Sequence, residues 1–123
     1  MATLTTTLTL ASTDATSDRL NISVSDSLTT ANPAVNIARL SIATDAATNI
    51  LTAAGNSAIT YVYIKKTNTD ASHVLTLKID DATAFSDLSA GEFAILPIKG
   101  GVGLECQASG AAVIAEYGYW TKG

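Results

Sequence analysis

The sequence predicts an all-β fold, a single antiparallel β-sandwich of about eight strands in either a jelly-roll-like or an Ig-like arrangement. Three observations point there. Short segments with period-two alternation recur along the chain, turn chemistry separates them, and no long amphipathic helix interrupts the series. At 123 residues the chain has the commonest size for one domain, so residues 1–123 read as a single sandwich. A chain of this length buries roughly two-thirds of its unfolded surface, enough to fold without staples.

The first segment alternates most clearly. Leu4, Leu8 and Leu10 occupy even positions, while Thr3, Thr5, Thr7 and Thr9 occupy the odd ones, so β-branched hydroxyls line the wet face. A polar run, Ser12–Asp18, reads as a loop, and residues 1–18 are expected to form an N-terminal strand that packs at home or reaches a neighbour as an arm. Arg19–Ser25 alternates Leu20, Ile22 and Val24 against Asn21, Ser23 and Ser25, and should end at Asp26-Ser27. Asn32-Pro33 is a turn, because the residue before proline is pushed out of helical space.

Val35–Thr44 is the third strand. Asp45–Ala54 fits either a short alanine-rich helix or a strand, and the reading leans to a strand near Thr48–Ala53. Ile59–Lys66 and Val74–Ile79 follow as strands, divided by the turn residues Asn68-Thr69-Asp70 and ended by Asp80-Asp81. Leu88–Gly91 is a turn, and Glu92–Ile98 is a strand whose Pro97 suits an edge or terminal position. Gly100-Gly101 reads as a hairpin loop before Val102–Ala108, and Ser109-Gly110 precedes the last strand, Ala111–Trp120.

Composition narrows the function. With 7 basic and 11 acidic residues the net charge is −4, and no basic cluster is present to meet a phosphate backbone. Lys65 and Lys66 are adjacent, but neighbours on a strand point to opposite faces. No nucleic-acid partner is expected. No stretch approaches the ~20 apolar residues of a membrane span, so no membrane partner is expected either. The N-terminus lacks the positive start and apolar run of a secretory signal, which points to synthesis in a cytoplasm without a cleaved leader.

Catalytic and metal constellations are thin. Cys106 is the single cysteine, so no disulfide or CxxC motif is available, and a lone thiol in a strand reads as a small hydrophobe. His73 stands near Asn68, Asp70 and Ser72, yet no strained nucleophile elbow accompanies them. Asp80, Asp81 and Asp87 offer hard oxygens, but the spacing of a calcium loop is missing. Glu92, Glu105 and Glu116 fall in or beside three different strands. Gly100–Gly103 is glycine-rich without a following helix, so it is no phosphate cradle. The expectation is a non-enzymatic protein with no cofactor and no metal.

Aromatic placement says more. Tyr61 and Tyr63 share a strand face; Tyr117 and Tyr119 share one face of the last strand, with Trp120 on the other. That last strand is apolar on both faces, as in strands with a core on one side and a partner on the other. These five are the candidate interface residues. The competing reading is that the tyrosines close the end of the core with their hydroxyls in water.

Taken together, Ile59–Asn68, Val74–Ile79, Phe85–Ile98, Leu104–Ala108 and Ala115–Trp120 resemble the small β-sandwich virion proteins of tailed bacteriophages, of the head decoration (cement) and tail-associated kinds. The likeness lies in the Lys-Lys-Thr-Asn strand end, the Leu88-Ser-Ala-Gly-Glu92 turn and the closing Glu116-Tyr117 strand, over about residues 58–120. The resemblance implies a capsid accessory protein on the virion surface, made in the host cytoplasm. Its partners would be the major capsid protein or other virion proteins, and copies of itself, a trimer among the options. A tail, adaptor or fibre component and a carbohydrate-binding or adhesin module remain the alternatives.

Overall fold

The structure, a computed structural model, describes residues 2–30, 37–51, 60–67, 73–79 and 83–122. Ten strands lie within them: β1 (Ala2–Ser12), β2 (Leu20–Thr30), β3 (Ala38–Ile42), β4 (Thr48–Leu51), β5 (Thr60–Lys66), β6 (Val74–Ile79), β7 (Thr83–Leu88), β8 (Phe93–Ile98), β9 (Leu104–Ser109) and β10 (Val113–Thr121). Eight of them form the predicted sandwich, as two four-stranded sheets ordered β3-β10-β5-β8 and β4-β9-β6-β7. All pairings are antiparallel.

The pairings are nested. β6 pairs β7, β5 pairs β8, β4 pairs β9 and β3 pairs β10, as if one long hairpin had been folded between β6 and β7. Rolling that hairpin brings β5 onto β10 and β6 onto β9, and the two sheets close face to face. This is the jelly-roll order, which decides between the two sandwich arrangements left open by the sequence. The inner faces supply Ile42, Val62, Ile64, Val113 and Ala115 from one sheet and Leu75, Leu77, Leu104 and Cys106 from the other, nearly all fully buried.

Several boundaries move. β2 does not stop at Asp26-Ser27, because β1 offers partners for both, Thr6 and Thr5, and the ladder runs on to Thr30. Residues 48–51 form strand rather than helix, since pairing with β9 buries Ile50 and Leu51. β7 was not read from the sequence. Of its six residues only Leu88 is buried, so it lacks a periodic signature. Gly100-Gly101 is no hairpin loop: β8 and β9 belong to different sheets, so the turn crosses between them. Asn32-Pro33, Asn68–Ser72 and Asp80-Asp81 lie outside the described residues.

Two local features follow from the chemistry. Gly91 has φ +76°, a left-handed value that glycine adopts without strain, and it lets the turn after β7 swing back to β5. There, Lys66 N donates to Glu92 O and Gly91 N to Lys66 O. Lys66 itself points inward and is 0% exposed, the reverse of Lys65 on the outer face. Every buried side-chain polar atom among the described residues has a hydrogen-bond partner, so its ammonium is not stranded.

β1 and β2 stand apart as a two-stranded hairpin with eleven residues in each strand, about 35 Å long at strand rise. One face is hydroxylated, with Thr5, Thr7 and Thr9 opposite Ser27, Ser25 and Ser23. The other pairs Leu4 with Leu28, Leu8 with Val24 and Leu10 with Ile22, and is interrupted by the polar pair Thr6 and Asp26. A bridge between Thr30 and Lys122 ties its foot to the end of β10.

Candidate interaction surface

Alternation along β5 sends Val62, Ile64 and Lys66 inward and leaves Tyr61, Tyr63 and Lys65 on the outer face. Register then assembles rows across that face. Trp120 pairs Tyr61, which pairs Pro97; Gly118 pairs Tyr63, which pairs Ile95; Glu116 pairs Lys65, which pairs Phe93. Tyr61, Tyr63 and Trp120 are therefore brought together, half-buried, on one sheet surface. Phe93, Ile95 and Pro97 of β8 extend it, a contribution that no single-strand pattern indicated.

Gly118 makes the centre of this surface possible. A Cβ there would stand 2.6 Å from Ile37 Cδ1 and 3.3 Å from the Trp120 ring. Without it, the indole folds back along its own strand and Ile37 closes from the other side. The sheet thus presents side-chain faces where bare backbone would otherwise show.

Tyr117 and Tyr119 do not join the cluster. They lie on the other side of β10, where Tyr117 packs against the core and Tyr119 is exposed near the strand end. For Tyr117 the core-closing alternative describes its place.

Beside the aromatics runs a polar network. Tyr63 Oη donates to Glu116 Oε1 at 3.1 Å, and Arg39 Nε donates to Glu116 Oε2 at 3.0 Å. The Arg39 bond, then the Tyr63 bond, hold the Glu116 carboxyl below its ordinary range. Burial, then the Glu116 hydrogen bond, push the Tyr63 phenol up. Arg39 is largely exposed, so the ion pair orients Glu116 more than it stabilises the fold.

The other candidates are dispersed. Cys106 lies in the core facing Thr48 O at 3.9 Å, and burial, then Glu105, push its thiol up to about 12. Glu105 sits on β9, in the sheet opposite Glu116, and Glu92 sits in the turn before β8. Asp87 accepts from Thr76 Oγ1 at 2.8 Å. Among the described residues no group of three His, Cys, Asp or Glu is placed to hold a metal ion, and no helix is long and apolar enough to cross a membrane.

The hairpin borders the aromatic face. Thr6, Asp26 and Leu28 line a shallow cleft with Tyr61, Ile95 and Pro97, so its foot lies along β8. Compared with family models, with curated proteins and with solved structures, the chain matches none.

Proposed function

We propose that this chain is a non-enzymatic virion protein of the capsid decoration, or cement, type, which binds the head shell of a tailed bacteriophage and stabilises it. The observation that carries this reading is the outer sheet face, where Tyr61, Tyr63, Trp120, Ile95, Pro97 and Phe93 form one continuous apolar and aromatic surface. A rigid β-face of this kind suits docking on a preformed shell, because no loop has to be ordered on binding. Jelly rolls serve in viral capsid and lectin domains, which supports the class without fixing the role. Binding the intact shell better than the broken one stabilises it by mass action, and many weak contacts repeated over the surface add up.

The capsid partner is the major capsid protein, and the protein would sit on the virion surface as a homo-oligomer. The same face also favours a second reading, since Tyr61 and Trp120 side by side suit stacking on a sugar ring. A tail or adaptor position would use the same fold.

The test is co-sedimentation with intact and undecorated heads, followed by survival of the bound heads on heating or osmotic shock. Saturable binding with improved survival is expected, together with its loss in Trp120→Ala. If Trp120→Ala binds normally and only melts earlier, the residue is a packing residue and this face is not the docking site. Failure of the wild type to bind heads would turn attention to tails and to a glycan array.

A further inference from the structure

A largely apolar cleft separates the hairpin from the sandwich, with Thr6, Thr7, Thr9, Ser25 and Asp26 also on its lining. On the hairpin, Leu8 and Leu10 of β1 lie beside Val24 and Ile22 of β2, and all four remain 42–55% exposed. On the sandwich, Phe93 and Ile95 of β8 are 63% and 47% exposed and line the same cleft of about 260 Å³ as Leu8 and Val24. Further out, the cleft at the tip is lined only by hairpin residues, Ala11–Asp14 and Arg19–Asn21, so the sandwich no longer accompanies the stripe.

Such a ribbon is incomplete. An isolated two-stranded hairpin is marginal in water, and a third layer is what makes one stable. Here β1 and β2 pair with each other, and among the described residues their one bridge to the β3-β10-β5-β8 sheet joins Thr30 to Lys122. With roughly 200 Å² available to a large apolar side chain, the six residues leave on the order of 600 Å² uncovered, at the top of the range for a monomer's largest patch. That is most of the ~800 Å² each partner contributes to a standard interface.

We infer that the occupant is a second copy of this chain, whose hairpin packs stripe to stripe against the first. Leu8, Leu10, Ile22 and Val24 carry no charge, so an identical stripe is their complement, and a contact of this kind closes on itself about a two-fold axis. Turned antiparallel through the Leu10–Ile22 pair, Leu10 and Ile22 of the two copies meet, and each tip runs back along the other copy's Leu8 and Val24 towards its Phe93 and Ile95. The hydroxylated faces, Thr5 to Thr9 and Ser23 to Ser27, remain in water. A second copy is also present whenever the hairpin is made, as a ribbon that needs cover requires. The inference does not depend on the capsid reading: with Phe93 and Ile95 covered in the dimer, Tyr61, Tyr63, Pro97 and Trp120 are what is left of that face for a shell.

Sedimentation equilibrium of the purified full chain, alone and as Leu10→Asp/Ile22→Asp, tests it. Both positions are exposed, so the sandwich should melt unchanged. The wild type should self-associate, and the variant's dissociation constant should rise at least about 100-fold, tenfold for each substituted position. Oxidation of Leu10→Cys should yield a covalent dimer, whereas Thr9→Cys, on the opposite face, should not; buried Cys106 does not compete. A monomeric wild type, an equally associated double variant, or equal cross-linking through Thr9→Cys would each overturn the inference. Were the wild type monomeric yet bound to heads through the hairpin, the occupant would be the shell, and self-association would fail while the capsid reading stood.

Discussion

Glu116, on the outer face of β10, links that strand to two others, through Arg39 on β3 and Tyr63 on β5. Its carboxyl is held below the ordinary range, so its stabilising contribution is complete above that range and is lost as the pH falls through the lowered folded value. Tyr63, shifted upward, contributes up to the ordinary phenol range and loses that contribution as the pH rises through the raised value. Glu116→Gln should therefore melt below the wild type at neutral pH and converge with it in acid. Melting curves at a series of pH values check this, and a gap that persists in acid would refute it. Some of this scale was legible beforehand. That Tyr61 and Tyr63 share a face, and that Trp120 opposes Tyr117, follow from alternation alone. That Trp120 meets Tyr61 depends on inter-strand register, which one strand's pattern does not contain. Lys66 is a sharper case: alternation placed it opposite Lys65, but only the rolled sandwich made that side the core.

Among elements, β10 lies between β3 and β5, and one small residue shapes its outer face. Gly118 lies where two larger side chains converge, so a branched residue there has to displace them. Gly118→Val should swing the Trp120 ring outward and shift its fluorescence to the red, a clean signal since it is the only tryptophan. The shift should come with a loss of about 1–3 kcal/mol, the usual cost of overpacking. Unchanged emission would mean that Ile37 alone gives way. Elements with strong alternation, β1, β5 and β6, were readable in the sequence, whereas β7 and the outer half of β2 were not. β7 is an edge strand with one buried side chain, and β2 continues through turn-forming residues only because β1 lies alongside. Local preference lost to pairing in both.

At the scale of the whole molecule, nesting orders the contacts by sequence distance. β6 and β7 are near neighbours in the chain, while β3 must wait for β10, some seventy residues on. Loop closure makes such long-range pairings slow, and folding in milliseconds to seconds is expected for all-β chains of this kind. Leu77→Ala, in the innermost pair, should slow folding, whereas Ile42→Ala, in the outermost, should mainly hasten unfolding. Each should cost about 2–5 kcal/mol. Chevron plots of both variants decide the matter, and equal effects on the folding limb would contradict an inside-out order.

The bridge between Thr30 and Lys122 has a mechanical meaning. A pull on the hairpin enters β3 through the chain and β10 through that bridge, so the two strands take the load together. Drawn lengthwise together with β3, β10 slides along β5, which loads the seven residue pairs from Ala115 to Thr121 at once rather than one after another. Shearing a ladder demands far more force than peeling it, so an arm anchored this way passes strain into the body of the protein before it tears free.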